Sequence, residues 1–116
     1  MNRPLQQSSI PSQPRSIPLP SMEEKYTELL GGSPETVSMR SGCVMLMPGE
    51  SVGLHSTGDN EEMVVTLSGS GELCRPGMDS LPLHCGCVLY NPPHTPHDVV
   101  NTGEQPLRYI YIVAKA

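Results

Sequence analysis

Two stretches of the chain decide its interpretation: residues 49–69, GESVGLHSTGDNEEMVVTLSG, and residues 86–101, GCVLYNPPHTPHDVVN. The first stretch begins and ends with glycine and contains His55 and Glu62. The second begins with glycine, ends with asparagine and contains His97. Two imidazoles and one carboxylate on short strands can meet around one divalent metal, and they leave coordination positions open for a substrate.

Short strands punctuated by glycine and proline predict an all-β fold. Residues 61–67 form the clearest predicted strand, because apolar side chains lie on both faces and a Ser-Gly-Ser-Gly segment follows them. Further strands are predicted at residues 36–40, 43–47, 87–90, 97–100 and 107–114. All eleven glycines lie between Gly31 and Gly103, as turns within one compact β unit require. This pattern indicates a β-sandwich or β-barrel.

The composition excludes several classes of protein. A chain of 116 residues fits one domain. Its formal charge is -5 and its Lys and Arg residues are scattered, which argues against binding to nucleic acid. No apolar run is long enough to span a bilayer, so no membrane partner is expected. The first residues lack the apolar core of a secretory signal. We therefore expect a soluble, cytoplasmic protein.

The chain divides into an arm and a domain. Residues 1–21 contain five prolines, five serines and three glutamines, which predicts a disordered or extended arm. Residues 22–116 form the predicted β domain. At its start, Met22 to Leu30 is a candidate short helix, because Ser21 can act as its N-cap and Gly31-Gly32 can end it.

Strand alternation predicts how the three candidate ligands meet. It places Glu62 on one face with Val64, His97 on one face with Val99, and His55 on its own strand. If these faces share an interior, the site can bind Fe(II), Mn(II), Ni(II), Zn(II) or Cu(II). Taken singly, each residue has a simpler interpretation as a surface or turn residue. The joint spacing of the two stretches favours a metal site.

The four cysteines are Cys43, Cys74, Cys85 and Cys87. They lack Cys-x-x-Cys spacing, so free thiols that are mostly buried are favoured over a soft metal site. Cys43, Cys74, Cys87 and Tyr90 are candidates to line a pocket.

The two stretches resemble the motifs of the cupin superfamily. The first motif is Gly, five residues, His-x-His, three or four residues, Glu, six residues and Gly. It is matched by Gly49, His55, Thr57, Glu62 and Gly69. The second is Gly, five residues, Pro-x-Gly, two residues, His, three residues and Asn. It is matched by Gly86, Pro92, His94, His97 and Asn101. The resemblance covers about residues 36–113 and implies a double-stranded β-helix, or jelly-roll barrel, that commonly forms a homodimer.

The chain departs from the cupin pattern at two positions. Thr57 replaces the second histidine of the first motif, so the ligand set that the resemblance implies becomes His55, Glu62 and His97. His94 replaces the glycine of the second motif. It could be a substitute ligand, an acid/base group or an exposed turn residue, and the last role is favoured. Asn101 is expected to have a structural or supporting role. Asp59 and Glu61 are not expected to be ligands.

By resemblance, the leading functional hypothesis is a metal-dependent enzyme of oxygenase type that acts on a small organic molecule. Isomerase, lyase or decarboxylase chemistry fits the same pocket. The alternatives are a non-catalytic module that binds a small ligand, such as a sensor, and a protein with a vestigial pocket. The metal, the substrate and any catalytic residue other than the metal ligands are not assigned by the sequence.

Overall fold

The structure is a computed structural model that describes residues 13–116, and within them the chain forms nine β-strands. In chain order the strands are β1 (Tyr26–Gly31), β2 (Arg40–Leu46), β3 (His55–Ser56), β4 (Asn60–Ser68), β5 (Ser70–Arg75), β6 (Met78–His84), β7 (Val88–Asn91), β8 (Pro96–Val100) and β9 (Leu107–Lys115). The predicted disorder of residues 1–12 lies outside the described residues. Residues 13–21 have no regular secondary structure.

The strands form two sheets in which neighbouring strands are antiparallel. The large sheet has the order β1-β2-β9-β4-β7, and the small sheet has the order β3-β8-β5-β6. The apolar faces of the two sheets pack together, which confirms the predicted all-β jelly-roll architecture. The core between them consists of Val44, Leu46, Val64, Leu73, Leu83, Val99, Leu107 and Tyr109.

Alternation along β4 and β9 produces the inward face of the large sheet. Val64 and Tyr109 are 2% and 4% exposed, whereas the neighbouring Met63 is 43% exposed. The register pairs Tyr111 of β9 with Val64 of β4 and with Gly42 of β2. The segment before β1 crosses the other face of the sheet, where the Arg108 guanidinium donates to the carbonyl of Pro20.

The predicted helix at residues 22–30 is wrong, because most of this segment is strand β1. The capping signal is used locally: the Ser21 hydroxyl accepts a hydrogen bond from the backbone N–H of Glu23 at 3.4 Å, in a turn that does not continue as a helix. Tyr26 to Gly31 then pair with β2, with Tyr26 opposite Val44. Pairing with a neighbouring strand has overridden the local preference for a helix.

The predicted strand at residues 36–40 is also wrong except at its last residue. Residues 36–38 are bends, and the Thr36 hydroxyl donates to the carbonyl of Met39 at 2.6 Å. Threonine hydroxyls that bond nearby backbone groups favour turns over strands. Strand β2 therefore begins at Arg40.

The hairpin of β5 and β6 was not predicted. Its turn contains Pro76 and Gly77, and Gly77 has a φ of 72°. The sequence predicts that the Ser-Gly segment at residues 68–71 ends a strand. In the structure this segment continues into β5. A Cβ at Gly71 would lie 2.5 Å from the carbonyl oxygen of Val100, so only glycine fits this close approach of two strands.

The outer face of the large sheet exposes apolar side chains on β4 and β7. Met63, Val88 and Tyr90 are 43%, 56% and 57% exposed, and Met63 lies opposite Tyr90. The homodimer that the resemblance implies stays a prediction. Within the described part of the chain, no helix is long and apolar enough to cross a membrane.

Candidate functional site

The three predicted metal ligands lie together between the two sheets. His55 on β3 and His97 on β8 are opposite each other in the small sheet, and their ring centroids are 4.4 Å apart. Glu62 comes from β4 of the large sheet, and its Oε1 lies 3.1 Å from Nε2 of His97. The His97 and Glu62 side chains are 2% and 11% exposed, whereas His55 is exposed. Residues that are far apart in sequence therefore form one cluster.

Backbone carbonyls orient both imidazole rings. Nδ1 of His55 lies 2.7 Å from the carbonyl oxygen of Gly53, and Nδ1 of His97 lies 2.8 Å from that of Thr95. A carbonyl can only accept, so each Nδ1 carries the hydrogen of its ring. The Nε2 atom of each neutral imidazole is then the one with a lone pair.

The contact with Glu62 favours the protonated form of His97. The hydrogen bond to Glu62 raises the pKa of His97, burial of the ring opposes this rise, and the Thr95 carbonyl supports it. Nε2 of His97 can hold either a proton that it shares with Glu62 or a metal ion. The two compete for the same lone pair.

Asn91 is a member of the site that the sequence analysis missed. It is 2% exposed, and its Nδ2 donates to Oε1 of Glu62 at 3.0 Å. The register of β4 and β7 places Glu62 directly opposite Asn91. The sequence signal was its position immediately before Pro92 of the second motif. Asn91 and His97 both contact Oε1, so Asn91 helps to fix the orientation of the carboxylate.

Thr57, which replaces a motif histidine, has a structural role. Its hydroxyl donates to the carbonyl of Pro92 at 2.7 Å and accepts from the backbone N–H of Thr95 at 3.0 Å. These bonds join the turn after β3 to the loop between β7 and β8. The hydroxyl already has both a donor and an acceptor partner. Through these two bonds Thr57 positions the loop that orients His97.

The other motif residues lie outside the cluster. The His94 side chain is 72% exposed, and its Nε2 lies 3.5 Å from Oδ1 of Asp59, which supports the favoured role as an exposed turn residue. Asn101 is 1% exposed, and its side chain bonds the carbonyls of Leu46 and Gln105, each at 2.9 Å. Asn101 therefore closes the turn after β8, in agreement with its expected structural role.

The cluster opens onto a pocket of about 430 Å³. The candidate liners Cys43, Cys74, Cys87 and Tyr90 do not line it. Tyr90 instead donates from its hydroxyl to Glu61 at 2.9 Å. Several valines and Tyr109 line the pocket. Tyr26, Arg40 and Tyr111 line it as well, and the sequence analysis did not select them.

A complete metal cage is not present in the arrangement of side chains. Within residues 13–116, no group of three or more His, Cys, Asp or Glu side chains has its donor atoms placed to hold a metal ion. His97 and Glu62 are in contact, and the ring of His55 lies beside that of His97.

Comparisons with solved structures support the fold. The cupin domain of Cnp3 from Schizosaccharomyces pombe has a TM-score of 0.69 and 19% identity over 78% of this chain and 60% of that chain. A structure of the DMSP lyases RdDddP and RnDddQII has a TM-score of 0.66 and 25% identity over 78% of this chain and 47% of that chain. A cupin 2 conserved barrel domain protein from Salinispora arenicola has a TM-score of 0.68 and 23% identity over 100% of this chain and 89% of that chain.

The first two of these chains are longer than this one, which spans only 60% and 47% of their lengths. No curated protein matches the chain in sequence. The model of the cupin domain family matches residues 42–113, which is more than half of the chain. The matched residues contain both motifs and extend from within β2 to within β9. The chain therefore belongs to the cupin family.

Proposed function

We propose that the protein binds a divalent metal ion through His55, Glu62 and His97 and uses it to act on a small organic molecule in the adjoining pocket. One observation carries this proposal. A buried imidazole, a carboxylate that is 11% exposed and a second imidazole lie together at one pocket, although they come from three strands of two sheets.

The chemistry of the donor atoms fits a divalent ion. Neutral imidazole nitrogen and carboxylate oxygen are ligands of Fe(II), Mn(II), Ni(II) and Zn(II). Two such ligands at right angles, each about 2.1 Å from an ion, lie about 3 Å apart. The observed distance between Nε2 of His97 and Oε1 of Glu62 is 3.1 Å. The hydrogen-bonded Nδ1 atoms and the Asn91 amide are supporting contacts that metal ligands commonly have.

The residues of the site would have different roles in binding the ion and the substrate. His55, Glu62 and His97 would hold the ion, and Asn91 would keep Glu62 turned towards it. Apolar walls, including Val64 and Val99, would exclude water from the organic part of a substrate. The bound ion would supply the chemistry of an oxygenase, for which a site of two histidines and one carboxylate leaves positions open.

Lyase chemistry is a second possibility for the same site. It is favoured by the 25% identity to a chain from a structure of DMSP lyases. A non-catalytic module that binds a small ligand is the third. It is favoured by the direct contact between His97 and Glu62, which satisfies both side chains without an ion. In each case the predicted partner is a small molecule in the same pocket.

The proposal is tested by elemental analysis of the untagged protein and of His97→Ala. We expect about one equivalent of iron, manganese, nickel or zinc in the parent and a loss of most of it in the variant. The matched control is His94→Asn, which removes the histidine at the glycine position of the second motif; its side chain is exposed and lies 3.5 Å from Asp59. Asparagine tolerates the φ of 57° at this position. The control should keep the metal of the parent.

Metal that persists in His97→Ala, or that disappears equally in His94→Asn, would contradict the assigned ligands. A parent protein without metal that also fails to bind any of the four ions on addition would refute the metal site. Oxygen consumption by the iron-loaded protein with a panel of thiols, diols and catechols would then distinguish an oxygenase from a lyase or a binding module.

A further inference from the structure

The pocket contains a cationic group that the proposed metal site does not use. Arg40 at the start of β2 lines the pocket, as do Tyr26 of β1 and Tyr111 of β9. The register places Gly42 opposite Tyr111, and Val44 opposite Tyr26. Because side chains alternate along β2, Arg40, Gly42 and Val44 share one face of the large sheet. These three adjacent strands therefore supply one wall of the pocket.

The two tyrosines lie over Gly42, which has no side chain to displace them. A Cβ at this position would be 2.7 Å from Cε2 of Tyr111 and 2.8 Å from Cε1 of Tyr26. The rings are stacked at 6.4 Å between centroids with an interplanar angle of 17°, and their hydroxyl oxygens are 2.6 Å apart. One hydroxyl must donate to the other, so the accepting hydroxyl keeps its own hydrogen for a ligand.

Arg40 supplies a positive charge without a close carboxylate partner. In the described part of the chain, no salt bridge of 4.0 Å or less involves its guanidinium. Glu28, which is opposite Gly42 in the register, is the nearest acid on the same face of β1. Its Oε2 lies 2.9 Å from where a Cβ of Gly31 would lie, and Oε1 of Glu35 lies 3.0 Å from the same point. Glu35 is paired with Arg15. Arg40 thus remains available to an anion in a chain whose formal charge is -5.

Tyr111 remains a protonated donor near neutral pH. Burial raises the pKa of Tyr111, its hydrogen bond with Tyr26 raises it further, and the charge of Arg40 acts in the opposite direction. The negative charge of Glu28 also raises the pKa of Tyr111, so this acid lies near the wall. The guanidinium and the phenol hydroxyl nevertheless offer several N–H and O–H donors from one wall of the pocket. This is the donor pattern that a carboxylate requires.

We infer that the wall formed by Arg40, Tyr26 and Tyr111 binds the carboxylate of a small organic acid. The apolar body of the acid would lie against Val44, Val64 and Val113, and its other end would extend towards His55 and His97. The inference deepens the proposed function by naming a substrate class, and it rests on that function for the use of the same pocket. It requires no metal for recognition of the acid.

The test compares binding of 3-phenylpropanoate with binding of its primary amide by isothermal titration calorimetry. The parent should bind the acid about tenfold or more tightly than the amide, because hydrogen bonds to an ionised group are about twice as strong as neutral ones. In Arg40→Gln the affinity for the acid should fall to about that for the amide, and the affinity for the amide should stay within about twofold. The control Arg75→Gln removes an arginine of the β5–β6 turn that does not line this pocket.

Each measurement is made on chelator-treated and on metal-loaded protein, which separates the two proposals. A preference for the acid that depends on Arg40 in both forms supports the inference, even if the metal site fails its own test. Binding of the acid that requires metal and is unchanged in Arg40→Gln would overturn the inference and leave the metal site in place. Equal binding of acid and amide by the parent, or binding of neither at millimolar concentration, would also overturn it. Circular dichroism of Arg40→Gln checks that the variant is folded.

Discussion

Replacement of Thr57 by valine should destabilise the protein without removing the metal ion that we propose it binds. Valine has nearly the shape of threonine, but it cannot donate to the carbonyl of Pro92 or accept from the N–H of Thr95. Each lost hydrogen bond costs about 0.5–1.5 kcal/mol, so the free energy of unfolding should fall by roughly 2 kcal/mol. For a domain of this size the melting temperature should fall by roughly 8–16 °C.

The assay is urea unfolding in the presence of a chelator, followed by elemental analysis of the protein purified without one. Thr57→Ser is the matched control, because serine keeps the hydroxyl, and its stability should lie within about 1 kcal/mol of the parent. Metal content should be the same in the parent and in both variants, provided that they are folded.

Two results would refute this reasoning. If Thr57→Val were as stable as the parent, the hydroxyl would not hold the loop that orients His97. If Thr57→Val kept its stability but lost its metal, Thr57 would be a ligand, and the proposed set of two histidines and one glutamate would be incomplete.

Two further predictions concern glycine geometry and a buried tyrosine. Gly49 and Gly69 have similar φ values, of 86° and 80°. A Cβ at Gly69 would lie 2.2 Å from the carbonyl oxygen of Pro106. A Cβ at Gly49 would have no described atom within 4 Å outside the adjacent residues. By urea unfolding, Gly49→Ala should cost about 1 kcal/mol and Gly69→Ala at least about 2 kcal/mol more, and equal losses would contradict the role of the close approach. Burial raises the pKa of Tyr109 above its unfolded value, so the stability it contributes is complete below about pH 10 and is lost as the pH rises towards its folded pKa. Tyr109→Phe should therefore reduce the slope of unfolding free energy against pH above 10 by up to about 1.4 kcal/mol per pH unit, and an unchanged slope would show that this residue is not responsible.

The parts of the fold that could be predicted from the sequence have strong local patterns. Strands at residues 61–67 and 107–114 could be predicted because apolar side chains lie on both faces of each segment. The segment at 22–30 has the capping residues of a helix, but pairing with β2 decides its structure. The β5–β6 hairpin could not be predicted because Gly71 and Pro82 weaken the strand pattern of its sequence. The structure accommodates both residues: Gly71 lies where a neighbouring strand approaches closely, and Pro82 lies on the edge strand of the small sheet.

The candidate site shows the same division. His55, Glu62 and His97 could be selected because their spacing relative to glycines is visible along the chain. Asn91 could not, because its contact with Glu62 follows from the register between β4 and β7. The wall of Arg40, Tyr26 and Tyr111 depends on the register of three strands, one of which was predicted as a helix. Contacts set by register between distant segments have no local signature.

The two imidazoles belong to one layer of the barrel and the carboxylate belongs to the other. A metal ion bound by all three side chains would link the two sheets, because the sheets could not separate at this end without releasing it. The binding free energy of the ion would add directly to the free energy that is needed to separate the sheets at this end. The strand that carries His55 is only two residues long and exposed, so we expect it to open locally at a low free-energy cost. A bound ion would raise that cost.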